Sequence, residues 1–202
     1  MNISKELEKI GIFPSQQLNI EERNKIARAT TDKLTSNIKE LSDNYNELYM
    51  RIFNCDMFYA DVDSKFKGVF YYYNSMYIDK NAQDIEPYLM HEVIHYLQNF
   101  SRINRQDNRA GLCQFLDFKI FGLGINEAIV QYITAKAEGN AIHRISNQEI
   151  TICTNSENYY KYMTSLASQI LLLMGEKEAI KSCISSTEEF ETELYNTFED
   201  NT

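Results

Sequence analysis

The ten residues LMHEVIHYLQ, Leu89 to Gln98, constrain this chain more than any other stretch. On an α-helix each residue turns by about 100°, so positions four apart lie nearly one above the other. On that period His91 and His95 share one face, flanked by Tyr88 and Asn99, with Glu92 on the adjacent edge. Leu89, Val93, Tyr96, Leu97 and Phe100 gather on a different side. One apolar face for a core and one polar face for chemistry predict a half-buried helix. The chain has three histidines, and two fall here one turn apart, so both can grip a single cation. Shuffled residues would give H-E-x-x-H on the order of a few times in a thousand such chains. The plain alternative is a pair of exposed histidines on an amphipathic helix.

Two imidazoles do not complete a catalytic zinc site, which takes three protein ligands and keeps a position open for water. The extended pattern H-E-x-x-H-x-x-G-x-x-H fails, because Gln98 stands at its glycine position and Ser101 at its last histidine. A carboxylate from a later helix is the other source. Glu127 is the best placed. It follows the break at Gly122 and Gly124 and opens a helix that Ile129 and Ile133 would anchor. His143, Asp117 and Glu138 are its rivals. Glu92 lies close enough to reach a metal-bound water while pointing away from the ion.

The surrounding pattern places this helix in an α+β domain. Asn19 followed by Glu22 starts a helix, and Leu34, Ile38, Leu41, Tyr45, Leu48 and Ile52 form one apolar stripe on a single long one. Met57 to Asp79 is rich in Tyr, Phe and Val and broken at Asp63-Ser64 and Asn74-Ser75, which predicts a small antiparallel sheet. Tyr71 to Tyr73 read as sheet packing. Asp84 caps the histidine helix, with Glu86 and Pro87 in its first turn. Further helices are predicted over 112–121, from Asn126 to a stop at Gly139, in two pieces between Tyr160 and Ser185, and from Glu188 to Phe198, with a strand at Glu149 to Cys153.

Lys+Arg 20 against Asp+Glu 29 gives a formal charge of -9, so nucleic acid and anionic membrane are poor partners. Four widely spaced cysteines without a C-x-x-C pair predict reduced thiols. The first residues, MNISKELEKI, lack a signal-peptide core, and the apolar run at Ile170 to Met174 is too short to span a bilayer. A cytoplasmic protein is expected.

HEVIH with the later INEAIVQYI resembles the gluzincin branch of zincin metallopeptidases, the group of thermolysin, and in layout the compact soluble forms of low-GC bacteria. The motifs cover residues 91 to 131, and the layout extends over about 57 to 185. The resemblance implies a zincin-like fold in which a small sheet precedes the active helix and a mainly helical part follows. It divides the chain into an N-terminal helical segment, 1–56, and a metallopeptidase unit, 57–202, within what reads as one compact body. It implies Zn2+ held by His91, His95 and Glu127, and peptide-bond hydrolysis with Glu92 activating a water. A peptide or protein substrate would lie along an edge strand near Asn74 to Asp79. The family often has an acid four places after its glutamate ligand, hydrogen-bonded to a ligating imidazole. This chain has Gln131, whose amide oxygen can accept the same bond with less effect on ligand basicity. The family's oxyanion-stabilising tyrosine or histidine has no motif match here, and His143, Tyr159 and Tyr160 are candidates by position. Gln131 and the unmatched donor motivate an alternative, a catalytically inactive zinc-binding protein with a regulatory or partner-binding role.

Overall fold

Helices and strands alternate along the chain in a computed structural model that describes residues 3–63, 68–82, 85–105, 108–117, 119–147, 150–156 and 160–199. The result is a mixed α+β architecture. Asp84, Glu149 and Tyr159, and Ser64 of the Asp63-Ser64 turn, lie outside the described residues, as does the side chain of Phe100.

The N-terminal segment is not purely helical. After α1 (Ile3–Lys9), strand β1 (Ile12–Gln17) pairs antiparallel with β2 (Asp56–Val62), so the sheet draws on both sides of residue 56. Helix α2 (Ile20–Asn37) starts where Asn19 and Glu22 place it. The Asn19 side chain accepts from Glu22 N at 2.9 Å, and Glu22 accepts from Asn19 N at 2.8 Å. The single long helix expected beyond it is broken. Ile38 is extended, a 3₁₀ segment follows over Lys39–Asn44, and α3 (Tyr45–Phe53) resumes. The cause is the run SNIKELSDN, whose short polar side chains compete for backbone partners; Ser42 Oγ donates to Lys39 O. Leu34, Ile38, Leu41, Leu48 and Ile52 are buried all the same.

The main sheet has the order β1-β2-β4-β3, with β3 at Val69–Tyr72 and β4 at Ser75–Asp79. It is mixed rather than antiparallel, because β2 and β4 run parallel while β3 and β4 form a hairpin. Tyr73 and Asn74, at φ 47° and 62°, make the two-residue turn with positive φ at both positions. That hairpin inserts β4 between β2 and β3. Residues 75–79 are therefore an interior strand, and the edges are β1 and β3. The expected edge at Asn74 to Asp79 is corrected to β3.

Helix α4 (Glu86–Arg105) carries the two histidines, and Val93, Ile94 and Leu97 on its apolar side are 0% exposed. The helix expected over 112–121 is instead a small sheet, β5 (Arg109–Ala110), β6 (Cys113–Leu116) and β7 (Lys119–Phe121). Asp117 adopts a left-handed conformation and turns the chain so that Leu116 pairs with Lys119, and the flanking aromatic and branched residues suit a strand. Helix α5 (Leu123–Ala137) starts at left-handed Gly122, earlier than Asn126, so Glu127 sits in its second turn. A Cβ on Gly122 would lie 2.4 Å from Leu112 O, which excludes any other residue there. The hairpin β8 (His143–Asn147) and β9 (Ile150–Thr154) leads to α6 (Lys161–Met174), α7 (Glu176–Ser185) and α8 (Glu189–Glu199). One apolar core runs from Leu18 to Phe190, with α4 and α5 at its centre. Among the described residues no helix is long and apolar enough to cross a membrane.

Candidate metal centre

His91 and His95 project from adjacent turns of α4, and α5 packs against that face and brings Glu127 over both rings. The two Nε2 atoms are 3.1 Å apart. Glu127 Oε2 lies 3.5 Å from His91 Nε2, and Oε1 lies 3.4 Å from His95 Nε2. The three groups are partly buried.

Both rings are oriented from behind by amides. His91 Nδ1 is 3.0 Å from Gln131 Oε1, and the Gln131 amide donates in turn to Ser156 Oγ. His95 Nδ1 is 3.1 Å from Gln98 Oε1. An amide oxygen only accepts, so each Nδ1 carries the hydrogen and each Nε2 presents a lone pair. Two nitrogen lone pairs and a carboxylate thus converge with no hydrogen between them. Such a set repels itself unless a cation or an extra proton occupies its centre. The donor types, two imidazoles and one carboxylate, are those of a catalytic zinc site. In this respect the residues fit a divalent ion.

The ionisation pattern follows from the same crowding. Burial lowers the pKa of His95, but the hydrogen bond and charge of Glu127 outweigh it, and the net shift is upward. Burial pushes the Glu127 carboxyl up, and the two imidazoles beside it reverse this, holding it far below the usual carboxylate range. Glu92 behaves oppositely. Its burial raises the pKa, and the histidines and the Tyr71 N–H only partly offset that. That N–H, on edge strand β3, donates to Glu92 Oε2 at 3.0 Å.

From the sequence, Gln98 does no more than fill the glycine position of a pattern that fails. In the fold it is 2% exposed and central. Its Nε2 donates to Asn126 Oδ1 at 3.0 Å and to Cys183 Sγ at 2.9 Å, which fixes Oε1 on His95. Asn126, also 2% exposed, accepts from Leu112 N as well, so the residue before Glu127 ties α5 to α4 and to the β5–β6 turn. The three-residue step from His95 to Gln98, one helical turn, is the signal that could have found it. Gly111 closes this amide layer at φ +59°. A Cβ there would sit 2.3 Å from both Asn126 Oδ1 and Gln98 Nε2. Gly111→Ala is therefore expected to destabilise the protein by about 1–3 kcal/mol and to displace Gln98 from His95, which would weaken the hold on a divalent ion there by about 10–100-fold. Thermal unfolding and chelator competition measure the two effects separately.

Of the other candidate residues, Tyr160 lies at the site. It precedes α6 in a left-handed conformation, with its ring stacked on His91 at 6.3 Å between centroids. His143 is exposed on β8, its Nδ1 donating to Ala141 O, and it is not a member of the His91, His95 and Glu127 cluster. Asp117 occupies the β6–β7 turn, and Glu138 caps α5 and pairs with Lys33 at 2.7 Å. Among the described residues, His91, His95 and Glu127 form the one cluster of this kind. Compared with known protein families, curated proteins and solved structures, the chain has no match in any of the three.

Proposed function

We propose that the chain is a zinc-dependent endopeptidase of gluzincin type, with a zincin-like arrangement of its mixed sheet and α4. The convergence of His91 Nε2, His95 Nε2 and the Glu127 carboxylate within 4.8 Å, beside the half-buried Glu92, carries this reading. His91, His95 and Glu127 would hold the ion. When bound it would supply Lewis-acid polarisation of a carbonyl and lower the pKa of water to about 7.

The chain's own residues do the rest. Glu92 takes the proton from the attacking water and passes it to the departing amine, a role for which a carboxyl with a raised pKa is suited. The Tyr71 N–H donates to Oε2, so Oε1 would be the oxygen that takes the proton. Gln98 and Gln131 keep both rings in the tautomer that offers Nε2. Tyr160, stacked on His91, would be the side chain that assists the developing oxyanion. An extended peptide would lie along the outer edge of β3 and bond to the main-chain groups there that Glu92 does not hold. The charge of -9 favours peptide or protein substrates over nucleic acid or an anionic membrane.

A second reading, a zinc-binding protein without catalysis, is supported by Gln131, which holds His91 with a neutral amide where an acid would raise its basicity more. Tag-free protein is expected to bind one equivalent of zinc and to cleave members of a quenched-fluorescent peptide library. Zinc without cleavage would favour the second reading, and no stoichiometric metal would remove both.

A further inference from the structure

We propose that Asn99 is a positioning residue for Glu92, acting through a clamp that α4 places on both ends of Tyr71. The inference rests on the peptidase reading above for its catalytic consequence.

Asn99 follows Glu92 by seven residues, two helical turns, so the two side chains share one face of α4 about 10 Å apart. That face meets β3. At one end, Glu92 Oε2 accepts from the Tyr71 backbone N–H at 3.0 Å. At the other, Asn99 Nδ2 donates to the Tyr71 hydroxyl at 2.5 Å and to Asn74 Oδ1 at 2.7 Å. The hydroxyl donates to Asn74 Oδ1 at 2.7 Å, which closes a triangle. The Tyr71 ring also packs edge-on against Tyr96 at 6.1 Å. One residue of the edge strand is thus gripped by its amide and by its hydroxyl from the same helix.

The geometry has a reason to be there. Tyr71 lies two residues before a turn in which Tyr73 and Asn74 both hold positive φ. An edge strand has one neighbour, so its spacing from α4 is otherwise set by apolar contacts, which are not directional. The triangle adds direction and fixes how far the Tyr71 N–H stands from Glu92. A general base is sensitive to that distance, since a 1 Å displacement costs on the order of a hundredfold in rate.

The test uses the zinc-loaded full chain, the best peptide from the fluorescent library, and the variants Asn99→Ala, Tyr71→Phe and their combination. The expected result is a fall in kcat of about 10–100-fold in each single variant. Zinc stoichiometry should be unchanged, and the double variant should fall no further than the singles. In parallel, the Tyr71 amide should exchange with solvent slowly in the parent and at least about tenfold faster in Asn99→Ala and in Glu92→Ala. Unchanged kcat, a loss of zinc, or additive singles would overturn the proposal. If Asn99→Ala fails to fold, Tyr71→Phe, which keeps the amide and removes only the hydroxyl, decides between these outcomes. If the parent cleaves no peptide, the peptidase reading fails. The amide measurement then decides the clamp alone, and a Tyr71 amide indifferent to Asn99 would end it.

Discussion

Replacing Glu127 by alanine is expected to abolish stoichiometric zinc binding while leaving the fold intact. The two imidazoles that remain come from neighbouring turns of one helix and offer a cation two donors and no charge. Glu127 arrives from α5 with the third donor and the negative charge, 3.4 and 3.5 Å from the two Nε2 atoms. Loss of a residue that only orients a ligand typically costs 10–100-fold in affinity, so removal of a direct donor should cost more than about a hundredfold. Competition against a chromophoric chelator, with protein free of any histidine tag, reads this directly. Glu138→Ala is the control, since that residue ends the same helix and its carboxylate pairs with Lys33. Parent-like affinity in Glu127→Ala would remove the proposed ligand set. In metal-free protein the same substitution should lower the pKa of His95. The burial that depresses it stays, and the Glu127 hydrogen bond and charge that raise it are gone. An NMR titration of the ring would follow the change.

Glu92→Gln is expected to keep zinc at the parent stoichiometry and lose at least about 10²–10⁴-fold in peptide cleavage. The amide has the shape of the carboxyl and can still accept from the Tyr71 N–H, so packing around it is preserved. It cannot take a proton from water. The substitution also has a signature in stability. A carboxyl whose folded pKa is raised above its ordinary 4.5 stabilises fully below that value and loses this contribution as pH rises through the folded pKa. Metal-free Glu92→Gln should therefore be at least as stable as the parent at neutral pH, with the difference shrinking as pH falls toward 4.5. Denaturant unfolding at several pH values checks the sign. Equal turnover by the two proteins would exclude Glu92 as the base.

Several elements were legible because their causes are local. The capping box at Asn19 and Glu22 is a three-residue pattern whose two hydrogen bonds form within the segment itself. The apolar stripe of α4 predicted which side is buried, and its Leu89, Val93, Tyr96 and Leu97 all lie in the core. Other elements were misread where local preference was nearly balanced. The run from Leu112 to Phe121 has apolar residues compatible with a helix or a strand, and the left-handed turn at Asp117 decided for strands. The stripe from Leu34 to Ile52 keeps a helical period, yet the polar run between its halves broke the helix, and packing buried the stripe in two pieces.

Strand order was beyond local reading. Alternating aromatic residues and turn signals say that strands exist over 57–79, but not that β1 joins from residues 12–17, nor that β4 lies inside β3. Gln98 belongs to the same class. Its importance comes from Asn126 and Cys183, which are 28 and 85 residues away in the chain.

By itself, the order of residues determined that His91 and His95 share a face with Glu92 at its edge, because helix geometry relates neighbours by a fixed rotation. It also determined that the other side of that helix must be buried. Only the tertiary structure decided that Glu127 closes over the pair, that amides and not acids hold both rings, and that β3 meets Glu92. Those contacts join segments brought together by core packing, whose free energy depends on the area buried and carries no address in the sequence.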